Sequence, residues 1–166
     1  MLDNRKIIID MEGLLADTGN ELYVSGAGTV DGVAEIFDTG GGYTEGILAV
    51  DIATVAYASA STNHRAMEIV LQGSNDSTFA TSTYDWYPLV KFGLDGSAAT
   101  APAPDNRCNV SGTSADTIAA GRYLFPFHND FGGTIQRYLR IYVNFMGTAE
   151  ASGTSYVDFK AWLSKR

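Results

Sequence analysis

Hydrophobic side chains in this chain recur every second residue, and that rhythm is the period of a β-strand rather than a helix. From Arg137 to Phe145, Leu139, Ile141, Val143 and Phe145 fall on one face, while Tyr138, Arg140, Tyr142 and Asn144 fall on the other. Such a run reads as a half-buried strand of a sandwich. The stretch from Thr154 to Leu163 repeats the pattern, with Val157, Phe159, Ala161 and Leu163 opposite Tyr156, Asp158, Lys160 and Trp162. The segment Gly147 to Gly153 between them reads as a turn, so the two runs are expected to pair as a hairpin.

Further strands follow from the same reasoning. Ala66 to Gln72 places Met67, Ile69 and Leu71 on one face and runs into a polar turn over 73–77. Gly46 to Ile52 is apolar throughout and reads as a buried strand. Trp86 to Phe92 contains Pro88, which confines it to an edge or a bulge, and Arg122 to Phe127 likewise contains a proline. Lys6 to Asp10 and Ala34 to Phe37 are shorter candidates. The total of about eight strands predicts an all-β fold, a jelly-roll-like antiparallel β-sandwich with long loops. Residues 1–12 are expected to form an N-terminal arm and 13–166 a single sandwich domain. Residues 13–46 read as Gly- and Asp-rich loops around short strands, Gly93 to Asn106 as a surface loop, and Ser114 to Ala120 as one helical turn ended by Gly121.

Composition narrows the function. Charged residues make up 18% of the chain, against about 25% in an ordinary domain. The resulting surface of Ser, Thr, Asn, Gly and Tyr costs little to desolvate and suits packing against other proteins. A net charge of −8 repels phosphate backbones, so no direct nucleic-acid partner is expected. The opening residues lack a long apolar stretch after Arg5 and Lys6, and no run approaches the ~18 apolar residues of a membrane span. Neither a secretory leader nor a membrane partner is therefore expected. Cys108 is the single cysteine, which excludes an internal disulfide and a cysteine metal cluster.

Catalytic signatures are thin. Asp17-Thr18-Gly19 and Asp38-Thr39-Gly40 each follow apolar residues, as the aspartates of aspartic proteases do. The two copies lie too close for the loops of two protease lobes, and an Asp-Thr-Gly turn whose carboxylate caps its own backbone accounts for both. His64 and His128 read as polar loop residues. His128 with Asp130 supplies too few ligands for zinc, and no Gly-x-Ser-x-Gly elbow is present. The run Gly40 to Gly42 lacks the lysine of a phosphate loop. No catalytic residue, metal or cofactor is expected, and the chain reads as a non-enzyme. Trp86 with Tyr87, or Tyr138 with Tyr142, would make a sugar-stacking platform, but outward tyrosines on sandwich strands equally suit a neighbouring subunit.

Three stretches carry a family likeness. Met1-Leu2-Asp3 leads straight into a short strand, Met67 to Phe79 forms a strand, polar turn and phenylalanine, and Arg137 to Tyr142 is followed by Gly147-Thr148 and Gly153. In these the chain resembles the jelly-roll capsid cement, or decoration, proteins of tailed bacteriophages of the podovirus type. The region from Gly13 to Gly46 departs from that pattern with extra Gly-rich sequence. The resemblance implies a structural virion protein made in the host cytoplasm. It would assemble as a homodimer or homotrimer on the outer surface of an icosahedral head, with the major capsid protein as partner.

Two surfaces are expected to serve association. The arm from Met1 to Asp10, with Met1, Leu2, Asp3 and Arg5, is free to dock on a neighbour. The outward face of the last hairpin, with Tyr138, Arg140, Tyr142, Tyr156 and Trp162, is the expected self-association surface. The alternative reading is a carbohydrate-binding jelly-roll module of a phage fibre or head spike. A homodimeric aspartic protease is the third.

Overall fold

Among the described residues the two-residue rhythm is realised as strand, except that Glu35 and Ile36, inside the strand expected from Ala34 to Phe37, lie outside strand. The computed structural model describes residues 13–17, 22, 25–56, 65–79, 86–95, 108–111, 120–145 and 156–165. In chain order the strands are β1 (Gly13–Ala16), β2 (Gly26–Ala27), β3 (Thr29–Val30), β4 (Val33–Ala34), β5 (Phe37–Asp38), β6 (Glu45–Ala56) and β7 (Arg65–Ser74). They continue with β8 (Trp86–Asp95), β9 (Cys108–Ser111), β10 (Gly121–His128), β11 (Asp130–Phe131), β12 (Thr134–Ile135), β13 (Tyr138–Phe145) and β14 (Tyr156–Lys165). The fold is an all-β sandwich, and the strands of four residues or more are β1, β6–β10, β13 and β14. No helix occurs among the described residues.

One sheet runs β1-β14-β6-β10, and the other runs β2-β13-β7-β8-β9 with β5 also on β13. Two short ribbons, β3-β4 and β11-β12, flank them. Pairing is antiparallel except between β8 and β9, which are parallel. The inward side chains of both sheets form one continuous core, with Leu48, Val50 and Phe159 from the first meeting Ile69, Phe92 and Ile141 from the second. Phe92 of β8 stacks on Phe125 of β10 at 4.5 Å between ring centroids, which pins the two sheets together. Each such side chain contributes about 1.5–3 kcal/mol through burial. The predicted inward faces hold, since β13 alternates half-buried and buried along its whole length, with Leu139, Ile141, Val143 and Phe145 inside.

The last two long strands do not form a hairpin, contrary to expectation. β13 pairs with β7, β2 and β5, whereas β14 pairs with β6 and β1 in the opposite sheet. Alternation specifies which face of a strand is buried, and it is silent on which strand lies beside it. The expected strand at Lys6 to Asp10, the helical turn from Ser114 and most of the loop after Gly93 lie outside the described residues.

Both proline-bearing strands sit where a missing N–H is tolerated. Leu71 pairs with Val90 and Gln72 with Pro88, so Leu89 is the extra residue of a bulge beside Pro88. β9 pairs only with Phe92 to Asp95, so among the described residues no strand borders the Trp86 to Lys91 half of β8 on that edge. Pro126 lies in β10, the edge strand of the other sheet.

The loops from β5 to β6 and from β10 to β13 are tied by the buried Asn129. Its side-chain oxygen accepts from Thr44 N–H at 2.7 Å, and its amide donates to the carbonyls of Gly42 at 2.8 Å and Gln136 at 3.0 Å. The Asp38-Thr39-Gly40 segment is a turn of the kind the sequence suggests. Its carboxylate accepts from Gly40 N–H at 2.8 Å and from Arg137 Nε and Nη2 at 2.9 and 2.8 Å.

Candidate functional site

The residues singled out from the sequence do not share one surface. Met1, Leu2, Asp3 and Arg5 lie outside the described residues. Tyr138, Arg140 and Tyr142 project from the outer face of the β13-bearing sheet. Tyr156 and Trp162 belong to β14, in the other sheet. Trp162, expected to be outward and available, is only 4% exposed. The Arg122 guanidinium lies 5.0 Å from its ring centroid, and Lys160 lies 5.9 Å away. A bulky ring on an outer sheet face is readily covered by the long side chains beside it, and alternation cannot reveal that cover.

Exposed apolar bulk is concentrated elsewhere. Among the described residues the large hydrophobic side chains left open are Val33, Tyr43, Trp86, Tyr87, Leu124 and Phe131. All but Val33 lie on or against β8 and β10. Trp86 and Tyr87 open β8, and Tyr87 stacks on Phe131 of β11 at 4.8 Å. Leu124 projects from β10, and Tyr43 stacks on His128 at the end of the same strand, at 6.4 Å. Between the Trp86 to Lys91 half of β8 and the edge strand β10 lies a seam, a depression of about 410 Å³, lined by Pro88, Leu89, Phe125, Pro126 and Phe131 among others. Both bordering edges carry a proline, a device that discourages indefinite strand addition.

A second concavity runs along β7 on the outer face of the other sheet, with a volume of about 300 Å³. Glu68, Val70 and Gln72 form its buried floor. Arg140 and Tyr142 of β13 rise on one side, with Trp86 and Lys91 of β8 on the other. The polar floor is paired to its walls: Lys91 Nζ meets Glu68 Oε2 at 3.0 Å, and Arg140 Nε donates to Gln72 Oε1 at 2.8 Å. Arg140 packs over the ring of Phe79 at 4.2 Å and that of Tyr142 at 5.2 Å. Trp86 and Tyr87, a pair considered from the sequence as one platform, point to opposite sides of β8. Trp86 lines this trough and Tyr87 joins the seam.

Sequence reasoning passed over Pro126 and Phe131 at the seam, the exposed Leu124 of the neighbouring strand, and Glu68 and Gln72 in the trough. Glu68 and Gln72 alternate with Met67, Ile69 and Leu71, so their outer-face position was legible, but their burial was not. Phe131 precedes Gly132-Gly133, and an aromatic residue before a Gly-Gly turn is the one local signal of an exposed ring. The Asp17 carboxylate accepts from Asp31 N–H at 3.2 Å. Among the described residues no cluster of three or more His, Cys, Asp or Glu side chains is placed to hold a metal. Compared with known proteins, the chain matches no family model, no curated sequence and no solved structure.

Proposed function

We propose that this chain is a structural virion protein, a capsid cement protein that associates with copies of itself and binds the outer surface of an icosahedral phage head. There it bridges neighbouring major capsid protein subunits. The observation that carries this reading is the gathering of Tyr87, Leu124, Phe131 and the Tyr43–His128 stack around two proline-guarded sheet edges. Exposed aromatic and apolar side chains clustered beside a depression, here rimmed also by Lys91, His128 and Asp130, mark protein contact. Aromatic side chains supply interface area at low entropy cost.

The role requires no chemistry. A bridging subunit adds contact area that must be broken before the shell opens, and several weak contacts per oligomer make release slow. Guarded edges favour closed oligomers over open-ended fibres. The acidic charge of −8 keeps the protein off packaged DNA. The likeness of Met67 to Phe79 and of Arg137 to Tyr142 to phage decoration proteins supports the same reading.

The test is reconstitution. Purified heads lacking this protein are mixed with the wild-type chain or with a Tyr87→Asp/Phe131→Asp variant, then sedimented. The wild type should co-sediment at a fixed ratio to the major capsid subunit and raise the temperature of head opening, and the variant should remain in the supernatant. Failure of the wild type to bind, or equal binding by the variant, would sink the proposal.

A further inference from the structure

We infer that the trough along β7 is a binding site for an oligosaccharide bearing a carboxylate, with Arg140 receiving the acid group and Trp86 stacking on a sugar ring. The inference is independent of the capsid reading, because it uses the outer face of one sheet rather than the seam.

Arg140 is the first reason. It is half-buried, and of its five N–H donors the recorded hydrogen bond uses one, Nε to the neutral Gln72. The ion pairs recorded among the described residues are Lys91–Glu68, Arg122–Asp51 and Arg137–Asp38, so Arg140 has no carboxylate partner there. A half-buried guanidinium fork with no anion among the described residues is suited to a planar carboxylate. Burial lowers its proton affinity from the ordinary arginine value, the direction expected of a cation lacking a compensating charge.

The second reason is strain. Phe79 is buried and has φ of 48°, in the left-handed region that a phenylalanine rarely occupies. Its ring is the surface on which Arg140 rests at 4.2 Å. Backbone strain retained to position one side chain is a mark of functional sites.

The remaining walls select the ligand class. Trp86 presents an exposed indole at the rim, while Asn144 and the exposed Lys91, whose ammonium also pairs with the buried Glu68, offer acceptors and donors at the spacing of neighbouring strands. Polar pairs beside a flat aromatic ring match the hydroxyls and apolar ring face of a sugar. The volume of about 300 Å³ suits one or two sugar units. An acidic peptide of aspartates would satisfy Arg140 but has no flat apolar ring face to lay on Trp86. The net charge of −8 acts against any anion at long range, but salt at physiological strength screens it within about 8 Å.

Tryptophan fluorescence provides the readout, since Trp86 and Trp162 are the two tryptophans and a Trp162→Phe background leaves Trp86 alone. The probes are tetragalacturonate, its methyl ester, sialyllactose, lactose and a tetra-aspartate peptide. Either acidic sugar should perturb Trp86 fluorescence saturably, and its neutral counterpart should bind at least about tenfold more weakly. Arg140→Gln should remove that preference. Trp86→Ala, whose fold is checked by an unchanged far-UV circular dichroism spectrum, should reduce acidic-sugar retention on an array of the same probes by about tenfold. The inference is overturned if neither acidic sugar binds below about 1 mM, if neutral forms bind equally well, if the peptide binds as tightly, or if Arg140→Gln and Trp86→Ala leave binding unchanged. Head binding by Arg140→Gln, which leaves the seam intact, separates failure here from failure of the capsid reading.

Discussion

Arg122 grips Asp51 across the β10–β6 pairing with two parallel hydrogen bonds, Nε to Oδ1 at 2.6 Å and Nη2 to Oδ2 at 2.7 Å. Lys160 of β14 is the register partner of Asp51 on its other side. The outer face of this sheet thus carries a cation–anion–cation row, and Arg122 also covers the ring of Trp162.

The row makes a small part of stability pH-dependent. Hydrogen bonds from Arg122 hold the Asp51 carboxyl below the usual carboxylate value, although partial burial opposes them. A depressed folded value means that the contribution is complete above the unfolded value of about 3.8 and fades as pH falls through the lowered one. Discounted for solvent screening, it is about 0.2–1 kcal/mol. Thermal melts of Asp51→Asn against wild type should differ by no more than about 4 °C at neutral pH and converge in strong acid. A gap that persists in strong acid would show that the ion pair is not its source.

Asn129 should be the most sensitive polar position in the described fold. Asn129→Ala leaves the Gly42 and Gln136 carbonyls and the Thr44 N–H without their side-chain partner, at a cost of about 1–3 kcal/mol. Asn129→Asp should be at least as damaging, because it turns a donor facing two carbonyls into an acceptor. Urea unfolding of both variants checks the order.

Gly28 tolerates no side chain. Its N–H donates to Ile141 O at 3.1 Å, and an added Cβ would collide with the Ile141 side chain and lie 2.9 Å from Ala16 Cβ. Gly28→Ala should therefore destabilise by about 1–3 kcal/mol through overpacking. Gly121→Ala, at an open position, serves as the control and should change the melting temperature little.

The Trp162 ring has the one buried side-chain polar atom without a hydrogen-bond partner among the described residues, Nε1. Trp162→Phe removes that stranded donor while losing part of the ring area, two effects of opposite sign. The net loss in urea unfolding should stay below about 1.5 kcal/mol, against about 3–5 kcal/mol for Phe159→Ala in the core.

The sequence alone determined the periodic features: that the chain is all-β, which side of β13 and β14 faces inward, and that Pro88 and Pro126 stand at edges or bulges. These are local, because pleat geometry and the missing proline N–H act within one strand. Only the tertiary structure decided which strands are neighbours. It placed β13 and β14 in opposite sheets, split the row from Tyr138 to Trp162 into two faces, and put Trp162 beneath Arg122. It also brought Tyr87 against Phe131 and Arg140 between Phe79 and Tyr142. Those contacts join residues far apart in the chain, and alternation says nothing about long-range pairing, since a strand buries the same face whichever strand lies beside it.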